Sequence, residues 1–129
     1  MSDLNKLREA NRARQKEWGG YENADELFRA IELGEEAGEV LGAVKKLTRE
    51  RRGIVGNRPG VDRMQNLREE MGDVLICLDL LADAFDINLL DCVTDKFNKT
   101  STKNGIPVFV DRELNVVPAD AGQAELFDA

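Results

Sequence analysis

Residues 62–84 constrain the fold more than any other stretch of the chain. Met64, Leu67, Met71, Leu75, Leu78, Leu81 and Phe85 return at heptad spacing, which gathers them on one face only if the segment is a helix. Glu70 and Asp73 stand beside that stripe, and the same side carries Cys77 and Leu80 further on. The helix thus turns apolar on both sides toward its C-terminus, and a helix apolar all round is buried all round. In a chain of 129 residues that points to an all-α fold assembled as an oligomer.

The acids in this helix have a counterpart. Glu69-Glu70-Met71-Gly72-Asp73 repeats the design of Glu35-Glu36-Ala37-Gly38-Glu39, with two acids three positions apart and a glycine before the second. Positions i and i+3 share a helix face about 5–6 Å apart. Glu36 pairs with Glu39, Glu70 pairs with Asp73, and two packed helices bring all four together. Four anions in one small volume repel unless a cation lies between them. Oxygen ligands of this kind suit hard divalent cations, Mg²⁺ above all, and Mg²⁺ brings phosphates with it. The alternative is that the acids are solvated faces offset by Arg and Lys. With a metal, water attack at the α-phosphorus of a nucleoside triphosphate gives a monophosphate and pyrophosphate, and a spare carboxylate such as Glu35 or Glu69 accepts the proton. The chain has no histidine. That removes His-based general base catalysis, most zinc sites and the Glu-x-x-His di-iron bundle.

The length fits one domain over residues 1–129. A net charge of −7 argues against a general nucleic-acid binder. No apolar run approaches the length of a membrane span and no signal peptide is visible, so cytoplasmic residence is expected. Cys77 and Cys92 lie in apolar helical surroundings and are expected to be buried, reduced thiols.

Along the chain, residues 3 to about 17 form a polar helix with a thin apolar edge, expected on the surface or docked on a partner subunit. Trp18 closes it as a packing anchor or a base-stacking group. Asn23 is the expected N-cap of the second helix. There, Leu27, Ile31, Gly34, Gly38 and Leu41 form one stripe, Leu33, Ala37, Val40, Val44 and Leu47 its flank, and Glu32, Glu36 and Glu39 the remaining side. Two mid-helix glycines cost about 1 kcal/mol each against alanine, and close helix approach is their expected return. Thr48 to Arg63 is a basic, glycine-rich connector: a solvated loop, a lid over a triphosphate, or an arm gripping another subunit. The fourth helix is expected at about 88–99, with Leu89, Leu90, Val93 and Phe97 inward. Lys96, Lys99 and Lys103, among hydroxyls up to Gly105, suit phosphate contacts or ordinary capping. Beyond Gly105 either a small hairpin or an extended arm is open, and the last dozen residues fray or form a short turn.

Glu35-Glu36-Ala37-Gly38-Glu39 followed by Glu70-Met71-Gly72-Asp73 resembles the EExxE…ExxD signature of the MazG-like all-α nucleoside triphosphate pyrophosphohydrolases, a superfamily that includes dimeric dUTPases and dCTP pyrophosphatases. The resemblance covers about residues 12–104, leaving 105–129 as an extension. It implies a four-helix core assembled as a homodimer or homotetramer with the nucleotide between subunits. It implies Mg²⁺ ligation by Glu36, Glu39, Glu70 and Asp73, with Mn²⁺ able to substitute and Glu35 as a helper. It also implies phosphate contacts from Lys96 and Asn98 and a base contact from Trp18. Two departures stand out. The connector is long, and Thr100-Ser101-Thr102-Lys103-Asn104-Gly105 replaces the frequent Arg-Tyr-Pro, as in small phage and bacterial members acting on purine deoxynucleotides. The implied reaction is (d)NTP plus water to (d)NMP plus pyrophosphate, with dGTP or dATP favoured. Two other readings stay open: a non-catalytic helical interaction module, and a hydrolase of another pyrophosphate-containing metabolite.

Overall fold

The computed structural model describes residues 2–118. Four helices, α1 (Asp3–Trp18), α2 (Glu26–Arg52), α3 (Arg63–Ala84) and α4 (Leu89–Asn104), precede a two-stranded antiparallel hairpin, β1 (Phe109–Val110) and β2 (Val116–Val117). The all-α expectation holds, and the segment after Gly105 is the hairpin, with Phe109 opposite Val117 and Val110 opposite Val116.

Local chemistry sets the helix ends. Asp25 caps α2, its carboxylate accepting from the Phe28 N–H at 3.0 Å, so the cap lies two residues past the expected Asn23. Asp62 caps α3 through the Gln65 N–H at 3.0 Å, and Asn88 caps α4 through the Asp91 N–H at 3.1 Å. Helix α4 runs to Asn104, further than expected, because Gly105 is the first residue free to take the left-handed turn (φ 65°) that ends it.

The central pair is α2 against α3, which brings the two acidic phrases onto one seam. Helix α1 docks within its own chain, so no partner subunit is needed to hold it. Asp79, buried on α3, accepts from Arg8 Nε and from Asn11 Nδ2, both at 2.9 Å. Arg12 grips Asp83 with both arms of its guanidinium, and the pairing holds the Asp83 carboxyl below the usual aspartate range.

Two expectations about faces are overturned. The stripe Leu27, Ile31 and Leu41 of α2 is 68%, 62% and 71% exposed, while the buried Ala43 lies on the acid side, seven residues past Glu36. A side chain added at Gly34, Gly38 or Gly72 would meet nothing within 4 Å. Within one chain, then, these glycines do not mediate helix approach. Helix α4 is also turned over relative to its apolar pattern. Leu90, Thr94, Asn98 and Ser101 are buried, whereas Val93 and Phe97 are exposed, and so is Cys92, which was expected to be buried like Cys77.

The reason is the hairpin. The Asn98 side chain donates to the Val110 carbonyl and accepts from the Val110 N–H, both at 2.9 Å, which reproduces a strand pairing with an amide side chain. Thr94 Oγ1 donates to the Asp111 carbonyl. The Asp111 carboxylate then gathers the N–H groups of Glu113 and Asn115, bonds that hold it below the usual aspartate range. Replacing Asn98 by alanine strands two buried backbone groups, at about 1–3 kcal/mol each. The expected result is loss of hydrogen-exchange protection across residues 106–117 before any loss in α2 or α3.

Candidate metal centre

The acids converge as their spacing requires. Glu36 from α2 and Glu70 and Asp73 from α3 each offer a carboxylate oxygen, all lying within 4.8 Å of one another. Glu39 stands outside that set of three but is close enough to Glu70 to raise its carboxyl. The Oε2 atoms of Glu36 and Glu70 are buried and find no hydrogen-bond partner among the described residues. Such orphaned oxygens are costly unless a ligand satisfies them.

The electrostatics agree. Burial, then the charges of Glu39 and Asp73, push the Glu36 carboxyl above its ordinary value. The close Glu39 carboxyl, then burial and the neighbouring charges, do the same to Glu70. No lysine or arginine is paired with Glu36, Glu39, Glu70 or Asp73 among the described residues. That disfavours the reading of these acids as a solvated face offset by Arg and Lys. Oxygen donors, net negative charge and two orphaned atoms fit a hard divalent cation.

Around this cluster the helices add a second layer. Cys77 lies under the acids, and burial together with Glu32, Glu36 and Asp73 pushes its thiol up to about 12, so it is protonated and inert as a nucleophile. Glu32, one turn before Glu36, is held by Arg29 at 3.0 Å. Arg29 is itself buried, bonded to Gln15 of α1 at 3.1 Å, and sits over the rings of Tyr21 and Phe28. Trp18 meets Tyr21 edge-to-face with centroids 5.7 Å apart and keeps more than half its surface exposed.

The other sequence-derived candidates are placed differently. Glu35 is exposed beside Glu36 and adds to its charge environment. Glu69 accepts from Gln65 at 3.2 Å. Lys96 lines an apolar groove between α3 and α4, and Lys99 and Lys103 are exposed on α4. Asn98 is spent on Val110, so the expectation that it meets phosphate is corrected: its amide has no free donor facing solvent. Arg29 was missed by sequence reasoning. Its signal was there, since it lies three residues before Glu32 and seven before Glu36, on the acid face of α2.

A helical chain whose central seam gathers three carboxylate donors within 4.8 Å of one another defines a class of acid-seamed α-helical proteins. Within it the family is identified by sequence: the family model described as MazG nucleotide pyrophosphohydrolase domain matches residues 29–104, and the chain belongs to that family. No curated protein is significantly similar to the chain. Nor is any solved structure.

Proposed function

We propose that this protein is a Mg²⁺-dependent (deoxy)nucleoside triphosphate pyrophosphohydrolase, converting (d)NTP and water to (d)NMP and pyrophosphate. The observation that carries the reading is the pair of buried, unpartnered oxygens on Glu36 and Glu70, within 4.8 Å of a donor on Asp73 and inside the family match. Glu36, Glu39, Glu70 and Asp73 are the proposed ligands. When bound, the cation screens phosphate charge and acidifies water. Glu35, solvated and outside the converging set, is the proposed proton acceptor, because the Glu69 carboxylate is engaged by Gln65. Trp18, with its exposed ring, is the proposed base contact. Lys96, Lys99 and Lys103 are the proposed phosphate contacts, reaching the substrate from a neighbouring subunit.

Assembly is part of the proposal. Leu27, Ile31, Leu41 and Val44 of α2 and Met71 and Leu75 of α3 are exposed. Further apolar groups line a groove of about 1000 Å³ between α3 and α4. Apolar surface on this scale favours a homodimer or homotetramer of the single domain. Among the described residues no helix is long and apolar enough to cross a membrane, and a nucleotide substrate favours a cytoplasmic site of action.

The experiment is a panel of eight ribo- and deoxynucleoside triphosphates with Mg²⁺ or Mn²⁺, read by separating the products. Pyrophosphate and a monophosphate are expected, fastest from dGTP or dATP. Orthophosphate and a diphosphate would reject the assignment of the attacked phosphorus. Equal rates across bases would reject the purine preference.

A further inference from the structure

The connector between α2 and α3 is tied back onto α2, although Arg51, Arg52 and Arg58 are exposed. Gly53 ends α2 in the left-handed region (φ 66°), and the Ile54 N–H returns to the Arg49 carbonyl at 2.9 Å. Asn57 then ties the loop back onto the helix: its side chain donates to the Lys46 carbonyl at 2.6 Å and accepts from Arg49 at 3.5 Å. Gly56 takes φ 126°, with its vacant Cβ position 3.6 Å from the Arg49 guanidinium, so the loop lies close against that group. The result is a cavity of about 320 Å³ lined by Lys46, Arg49, Gly56, Asn57, Arg58 and Arg63.

Four cations meet there in a chain whose net charge is −7. Arg63 is 6% exposed, yet its Nε has no hydrogen-bond partner among the described residues; Glu50, the nearest carboxylate, stands off at 3.6 Å. The rest of its fork is engaged, with Nη2 donating to the Arg58 carbonyl at 2.9 Å. Lys46, Arg49 and Arg58 have no ion-pair partner among the described residues. A buried, unsatisfied guanidinium donor is costly, and an entering anion would satisfy it and relieve the repulsion among the neighbouring, partly solvated cations.

We propose that this cavity is a second binding site, for a phosphate-type oxyanion. Arginine forks match the geometry of phosphate oxygens, and backbone turned outward by glycine lets such a group approach closely. The pocket lies apart from the acids. Lys46 follows Glu39 by seven residues and Arg63 precedes Glu70 by seven, about 10 Å of helix in each case. Two sources offer the same chemistry: the terminal phosphates of the substrate, or a separate phosphorylated effector.

The test uses inorganic pyrophosphate with the full chain, in buffer stripped of metal over a chelating resin so that the acids cannot mediate binding. A rise in melting temperature on the order of 4 °C is expected at ten times the dissociation constant. Sodium chloride at equal ionic strength should not reproduce it. The double change Lys46→Ala with Arg58→Ala, both exposed positions, should remove the rise, and Glu36→Gln with Asp73→Asn should keep it. Arg63→Lys, which retains the charge and loses the fork, should weaken binding about tenfold. No rise in the wild type, an equal rise with chloride, or a rise surviving the Lys46/Arg58 change would overturn the site. Nucleotide kinetics then separate the sources: a KM raised at least tenfold at constant kcat in the Lys46/Arg58 variant assigns the pocket to the substrate. An unchanged KM assigns it to an effector.

Discussion

Replacing Glu36 by glutamine, or Asp73 by asparagine, is expected to lower pyrophosphate release by at least 10²–10³-fold, the order of loss when one preorganised electrostatic group is removed from a site. The same changes are expected to raise the melting temperature of the metal-free protein at neutral pH. Both effects have one cause. Without a cation, burial and the surrounding carboxylates make the ionised forms of Glu36 and Glu70 unfavourable, so their folded values lie above the ordinary glutamate value of 4.5. A raised carboxyl favours the folded state while it holds its proton. That contribution is fully present below 4.5 and is lost as pH rises through the raised folded values. Metal-free wild type should therefore melt progressively lower as pH rises through that window, while the Glu36→Gln variant shows a flatter profile. Saturating Mg²⁺ or Mn²⁺ should raise the wild-type melting temperature and have little effect on either variant. An inactive variant that also melts lower than wild type in metal-free buffer at pH 7 would mean that the acids are satisfied within the chain. The ligand assignment would then fail.

The acid seam was legible in the sequence because two strong periodic signals coincide on it. The heptad run through α3 fixes the helix, and the i,i+3 spacing of Glu70 and Asp73 fixes their side of it. Helix α4 was legible as a helix but not in its orientation. The rule that apolar side chains face inward favours Val93 and Phe97, yet Thr94, Asn98 and Ser101 are the buried ones. They are buried because the hairpin needs partners for its backbone groups, and no local pattern announces a contact between residue 98 and residue 110. The α2 cap was misplaced for a smaller reason, since Asn23 and Asp25 are both good caps and the Phe28 N–H decides between them. Arg29 escaped notice because a cation on an acidic face reads as solvated. What buries it is Tyr21, Phe28 and Gln15, which converge on it only once α1 is docked.

That docking rests on Asp79, and Asp79→Ala is expected to be the most destabilising single change on the α1–α3 interface, at about 3–5 kcal/mol. The carboxylate is buried at the centre of the contact, with Arg8 and Asn11 both donating to it at 2.9 Å. Removing it leaves the Arg8 guanidinium, whose side chain is only 14% exposed, without its closest counter-charge. Arg8 would keep Asp83 at 3.6 Å and the Ile87 carbonyl at 2.7 Å, so the cost lies in its weakened compensation and in the orphaned Asn11 amide. Replacing both Arg8 and Asp79 by leucine should therefore recover most of the loss, because a well-packed apolar pair is often as good as a buried ion pair. For a domain of this size the single change corresponds to a fall of about 10–20 °C in melting temperature. Amide exchange separates this from general weakening: protection should vanish first along Asp3–Trp18, while the α2–α3 amides exchange only with global unfolding. A loss under 1 kcal/mol, or a double variant no better than the single, would show that apolar contacts hold α1 and that the network is incidental. The consequence for the site follows from Gln15. Once α1 detaches, Arg29 loses the acceptor at 3.1 Å that holds it over the aromatic rings, and Glu32 loses the fixed cation one turn from Glu36. At temperatures where α2 and α3 remain folded, Asp79→Ala is then expected to raise KM for the nucleotide before it lowers kcat, since Trp18, the proposed base contact, departs with α1 while the carboxylates stay in place.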